Sequence, residues 1–272
     1  MNHLHPLSLT GCAVALVLLT ACEGLFEGIY DEAPTESKTV IPVTADSDTV
    51  SGRITISGTL YIDASSWTDW YYIDLQAMVD SVAAGKETDQ NLPAYPIPTT
   101  LTGDGDGKTG IYTYWFDVWG KGISVNEYRS FMATDPQPAP KNWTFAVHRN
   151  NVRTNGGAVY ETPHLQLDNL QLDNLQLDNL PFTPDEWTET AVWAVQAQML
   201  NSLVGSQGIE INSILSSWLR LDIPPMPPAF TLNNHVFILR LNDNTYAALQ
   251  LENYLSPKGT KCCLTINYKY PL

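Results

Sequence analysis

From Ser51 onward, apolar side chains fall mostly on alternate positions, the period of a strand with one buried face. Ile54, Ile56, Leu60 and Ile62 share one parity, with Arg53, Thr55 and Ser57 between them, which predicts a strand over 52–62. Trp67–Leu75 reads as a second, aromatic-rich strand, and residues 76–91 as a short helix with a polar connection. Ile111–Trp119 is a further β-type aromatic run. Trp143, Phe145 and Val147 alternate with Thr144, Ala146 and His148, predicting a half-buried strand. That strand turns cationic at Arg149 and Arg153 and ends at Asn155-Gly156-Gly157, which readily supplies positive φ for a turn.

The later part of the chain is less uniform. Leu165–Leu180 repeats a Leu-Gln-Leu-Asp-Asn unit three times. A period of five fits neither strand nor helix, so it reads as a tandem expansion within a loop. Residues 191–223 fit both periods until Trp218–Ile223, which alternates like a strand. Pro224-Pro225-Met226-Pro227-Pro228 removes backbone donors and fixes φ, so it cannot lie inside a sheet. It is expected to be a stiff, extended loop presenting Met226. His235–Leu241 and Tyr246–Leu251 flank Asn242–Thr245 as a hairpin. Cys262, Leu264, Ile266, Tyr268 and Tyr270 then share one parity, predicting a final amphipathic strand.

Composition adds limits. With 272 residues, 44% of them hydrophobic, the chain can bury one large core. It carries 14 Lys and Arg against 29 Asp and Glu, a net charge of −15, which argues against binding nucleic acid. The apolar run Ala13–Thr20 has signal-peptide length and is too short to span a membrane. It leads into Leu19-Thr20-Ala21-Cys22, which resembles the lipobox of bacterial lipoproteins. That resemblance implies cleavage before Cys22 and lipidation of its thiol. The expected division is a signal peptide over 1–21, a lipidated acidic tether over 22–50 and one β domain over 51–272. The tether holds seven acids against Lys38 within 23–50. Cys262 and Cys263 are then the thiols left to the domain. Neighbours on a strand face opposite ways, so one buried and one exposed thiol is expected rather than a disulfide.

Catalytic motifs are not found. Gly-x-Ser-x-Gly and His-Glu-x-x-His are both missing from the sequence. Thr102–Thr109 departs from a P-loop at Thr102 and from a calcium loop at Trp115, leaving a glycine-rich hairpin loop. The mature chain has three histidines, His148, His164 and His235, and His148 and His235 suit structural roles. An enzyme is therefore not expected.

Taken together, Asn142-Trp143…Ala146-Val-His148-Arg149-Asn-Asn-Val-Arg153-Thr154-Asn155-Gly-Gly-Ala-Val is similar to the central motif of the HmuY-like family, the haem-binding outer-membrane lipoproteins of Bacteroidetes. Tyr61–Ser65 with Trp70-Tyr-Tyr, Leu232–Arg240 and Thr265–Pro271 agree with the same family, in order. The resemblance runs from about 54 to 271, with residues 76–110 looking like an insertion relative to shorter members. It implies a mostly β, antiparallel domain with two projecting arms that grip haem through axial His–His or Met–Met ligands. The arms correspond to the 185–230 region. No His lies between His164 and His235, so His–His ligation from the arms is excluded. Met199 and Met226 remain as thioether ligands to haem iron. By residue type alone, Met199 packs in a core and Met226 fills a gap. The implied protein is a lipid-anchored, non-enzymatic haem-acquisition protein at the outer membrane and cell surface. Its partners would be haem or a haem-carrying host protein, and a TonB-dependent receptor. The alternative is an adhesion or binding lipoprotein with the same fold that does not bind haem. Arg149 and Arg153 are expected to pair with acids inside the fold.

Overall fold

The computed structural model describes residues 43–47, 54–86, 92–98, 109–110, 126–127, 135–167, 177–194, 207–222 and 229–272. Strand β1 (Val43–Ser47) pairs antiparallel with β2 (Ile54–Asp63), so paired structure begins before Ser51, inside the stretch expected to be tether. Strand β3 (Asp69–Ile73) leads into helix α1 (Leu75–Ala83), whose first turn is capped by Asp74 accepting from the Ala77 amide at 3.0 Å. After β4 (Ala94–Pro96) and the short pair β5 (Thr109–Gly110) and β6 (Asn126–Glu127), three strands follow in close order. These are β7 (Phe145–His148), β8 (Asn151–Thr154) and β9 (Ala158–Glu161). Of the basic patch, Arg149 stands at the first corner of this meander and Arg153 lies within its second strand.

Strands β10 (Thr183–Pro184), β11 (Glu186–Thr188) and β12 (Ile209–Ile211) precede the one-turn helix α2 (Ser213–Ser216). The chain ends with β13 (Leu219–Asp222), β14 (Ala229–Leu232), β15 (Val236–Arg240), β16 (Tyr246–Leu255) and β17 (Lys261–Tyr270). The main sheet has seven strands in the order β1-β2-β17-β16-β15-β9-β10, and a second sheet has the order β4-β3-β7-β8. Every pairing in both sheets is antiparallel. Strands β11–β12 and β13–β14 form two separate antiparallel pairs.

The last strand follows its sequence parity: Cys262, Leu264, Ile266, Tyr268 and Tyr270 are buried, while the residues between them are half-exposed. Cys262 is a buried free thiol and Cys263 a half-buried one. Strand β7 departs from its parity. All four of its residues are buried, so the expected half-exposed face does not exist. The reason is that the second sheet separates two cores. Phe145, Val147 and Ile73 join the main cluster with Leu60, Leu249 and Ile266. Ala146, Trp70 and Tyr72, on the opposite parity, join a second cluster with Val192, Ile209 and Ile211. At the meander's second corner, Gly156 takes φ +68°. A Cβ at Gly157 would lie 2.7 Å from the Arg240 carbonyl oxygen, so only glycine lets β9 approach β15 there.

The two arginines do not both find acids. Arg149 places its guanidinium 3.7 Å over the Trp67 ring and donates from Nη1 to the Ser65 carbonyl at 2.6 Å. Arg153 lies 5.2 Å from Trp143 and 5.9 Å from Trp70, measured to ring centres, with Nε and Nη1 buried and unbonded. Indole faces rather than carboxylates are what Arg153 touches, because a guanidinium is weakly hydrated and stacks on aromatic rings. His235 meets Glu161 at 2.7 Å and is a structural residue, as expected.

Candidate functional site

The first meander corner builds one side of a cavity of about 470 Å³. His148, Arg149, Asn150 and Asn151 form its floor. Arg149 holds φ 55° there, a backbone conformation that costs a non-glycine residue about 1–2 kcal/mol. Its stacking on Trp67 and its bond to Ser65 offset that cost. One wall is Ala191 and Trp193; the other is helix α2 with Arg220 and Leu221.

Helix α2 is fixed to the otherwise open edge of β8. Ser216 Oγ accepts from the Val152 amide at 2.9 Å, and the Asn212 amide donates to the Val152 carbonyl at 2.8 Å. Asn212 caps the helix through the Leu215 amide and donates from Nδ2 to Asp185 at 3.1 Å. Asp185 also accepts from the Thr154 amide and hydroxyl at 2.7 and 2.9 Å. Burial raises the Asp185 carboxyl above its ordinary range, against those bonds and the charge of Arg153. A buried acceptor with its donors in place makes this wall rigid.

His148 is 1% exposed. Its Nδ1 lies 3.0 Å from the Asp69 carbonyl and its Nε2 3.1 Å from the Trp193 carbonyl. Burial, reinforced by the Arg149 charge, lowers its pKa from 6.5 to about 4, against bonding to Asp69 and Trp193 that favours the charged ring. Between those values the unfolded chain holds a proton that the native chain does not. His148 therefore contributes stability that is complete above pH 6.5 and is lost as pH falls toward 4. The expected loss is about 3 kcal/mol, from 1.36 kcal/mol per pKa unit. Urea denaturation from pH 7 to pH 4 checks this: His148→Gln should show a shallower decline in stability over that window than the native chain.

Met199, Met226 and Cys22 lie outside the described residues. What the structure does describe is where their segments begin. Ala191 and Trp193, shortly before the Met199 segment, line the cavity, as do Arg220 and Leu221, just before the Met226 segment. Sequence reasoning did not find Trp67, Trp193 or Arg220 as cavity residues. Of the basic patch visible in this acidic chain, His148 and Arg149 line the cavity and Arg153 does not. Among the described residues, no group of three His, Cys, Asp or Glu side chains could hold a metal ion. No described helix is long and apolar enough to cross a membrane.

The arrangement offers two indoles and two guanidinium groups around one cavity. These are features that suit a flat, partly apolar ligand carrying anionic groups.

No curated protein matches the sequence significantly. A candidate lipoprotein from Bacteroides fragilis NCTC 9343 is 27% identical, with a TM-score of 0.57 over 79% of this chain and 90% of its own. A candidate HmuY-like heme-binding protein from Bacteroides vulgatus ATCC 8482 is 30% identical, with a TM-score of 0.54 over 79% of this chain and 92% of its own. The apo HmuY analogue of Tannerella forsythia shares the fold at 19% identity and a TM-score of 0.53, over 79% of this chain and 95% of its own. The family model described as HmuY protein matches residues 66–268, and the chain belongs to the HmuY family.

Proposed function

We propose that this chain is a lipid-anchored, non-enzymatic haem-binding protein, with Met199 and Met226 as axial ligands to the iron and Cys22 as the lipid anchor. The observation that carries the reading is the cavity between the starting points of the two methionine segments. Met199 lies five residues beyond Ala194, and Met226 three residues before Ala229. At roughly 3.3–3.6 Å per extended residue, both thioethers can reach the cavity mouth. The described residues fit a porphyrin. The volume falls within the range of about 300–1,000 Å³ common for ligand sites, and Trp67 and Trp193 offer ring faces. Arg149 and Arg220 line the same cavity and are the cations that would meet propionate groups, Arg220 being paired with Asp222 at 2.9 Å. His148 is not a ligand, because both ring nitrogens already face carbonyl oxygens. Met199 and Met226 would hold the iron through neutral thioethers, and bound haem would supply a redox-active iron centre. In this reading the protein sits at the outer membrane, takes haem from solution or from a haem-carrying host protein, and yields it to a TonB-dependent receptor.

Titrating purified residues 23–272 with haemin tests the proposal. A shifted, sharpened Soret band that saturates at one equivalent is expected. An unchanged free-haemin spectrum would overturn it and favour an adhesion or binding lipoprotein that kept the fold.

A further inference from the structure

Among the described residues, the stretch 191–194 is held through the carbonyls of Ala191, Val192 and Trp193. On one side the Gln207 amide donates to the Val192 carbonyl at 2.7 Å. On the other, Asn151 Nδ2 donates to the Ala191 carbonyl at 3.0 Å, and His148 Nε2 lies 3.1 Å from the Trp193 carbonyl. Two side chains of one hairpin thus meet the carbonyls of Ala191 and Trp193.

His148 and Asn151 are opposite each other in the β7–β8 register and close the hairpin corner at Arg149. Both are buried, at 1% and 6% exposure. His148 is further fixed by the Trp70 ring, 5.3 Å away between centres, and by the Asp69 carbonyl. A neutral imidazole has one N–H, so it donates to either Asp69 or Trp193 at a given moment. Asn151 supplies the hold that does not depend on that choice.

We infer that His148 and Asn151 are positioning residues, a side-chain clamp that fixes residues 191–194 and so sets where the Met199 segment leaves the cavity wall. Its consequence for ligand binding rests on the haem-binding reading above; the clamp itself does not. His148 and Asn151 act through the backbone of Ala191 and Trp193.

The Gln207 amide reports on the clamp directly, because it is released when Val192 moves away. Hydrogen exchange on the full mature chain without ligand should show that amide exchanging at least about tenfold faster in Asn151→Ala, a loss of about 1.4 kcal/mol of local protection. Amides of the β16–β17 ladder should keep their native rates. His148→Gln, which retains one donor, should show the same pattern more weakly. Equal acceleration of every amide would mean general destabilisation, and an unchanged Gln207 amide would mean no clamp; either overturns the inference. In a haemin titration, both variants should bind at least about tenfold more weakly with the Soret maximum unmoved, since the ligands are the same. Haemin affinity within twofold of the native chain would show that the clamp does not position the ligand segment. If the native chain does not bind haemin, the haem reading fails, while the Gln207 exchange rate still decides the clamp.

Discussion

Replacing Trp70 with alanine is expected to remove about 3–5 kcal/mol through the void left in the second core. Trp70 is fully buried, and its Nε1 donates to Gln207 Oε1 at 3.0 Å. Its ring supports His148 and faces Arg153. Gln207 in turn donates to Gln137 Oε1 at 2.8 Å and to the Val192 carbonyl. Truncation therefore also orphans a buried acceptor, which costs about 1–3 kcal/mol more. Domains of this size hold only about 5–15 kcal/mol in total, so Trp70→Ala will be largely unfolded or close to it. Trp70→Phe keeps most of the ring and loses only the N–H, and it should cost about 1–3 kcal/mol. Urea denaturation of the pair measures both. A loss below about 1 kcal/mol in the alanine variant would show that the second cluster is not a packed core.

That second core explains which parts of the fold were legible. Strand β17 is read correctly because one of its faces is buried and the other is not, so the pattern is local. Strands β15 and β16 are legible for a different reason: both carry runs of successive buried residues, and their turn at Asn244 takes φ 63° as the Asn242–Thr245 signature implies. Strand β7 is misread because its second face is covered by residues 192, 209 and 211, far away in sequence. Ala146 and His148 look like a solvent face, since small and polar residues suit one as well as a crowded second core. Strand β1 is missed for another reason. Val43-Thr-Ala-Asp-Ser has no apolar period, and its place at the sheet edge comes from backbone pairing with β2.

The arginines illustrate a similar limit. Counting acids around Arg153 predicts a salt bridge, but the fold delivers Trp70 and Trp143 to its guanidinium instead. Local sequence reports charge and size; it does not report which faces converge. The cavity has the same origin, being assembled from a hairpin corner, a one-turn helix and two residues from each wall. Of these elements the family motif contains only the hairpin corner, His148–Asn151. The ligand pair came from residue type and family resemblance, and the structure adds the neighbourhood from which both segments start.

If the two thioethers hold the iron, Met199→Ala/Met226→Ala should lower haemin affinity by at least about a hundredfold, equal to about 2.8 kcal/mol, and erase the native Soret maximum. The walls would still offer Trp67, Trp193, Arg149 and Arg220, so weak, spectrally altered binding is the expected residue. Each single variant keeps one thioether and opens one coordination position, which should give a high-spin spectrum with intermediate affinity. Met226→His supplies the strongest check, because imidazole is a competent axial ligand at the same place. It should restore affinity relative to Met226→Ala while moving the Soret maximum away from the native position. Near-ultraviolet circular dichroism on the unliganded variants should stay native, which separates lost ligation from lost folding. Affinity within twofold of the native chain in the double variant, with an unmoved Soret band, would sink Met–Met ligation. Failure of Met226→His to alter the spectrum, alongside a clear loss in Met199→Ala, would place only one of the two sulfurs on the iron.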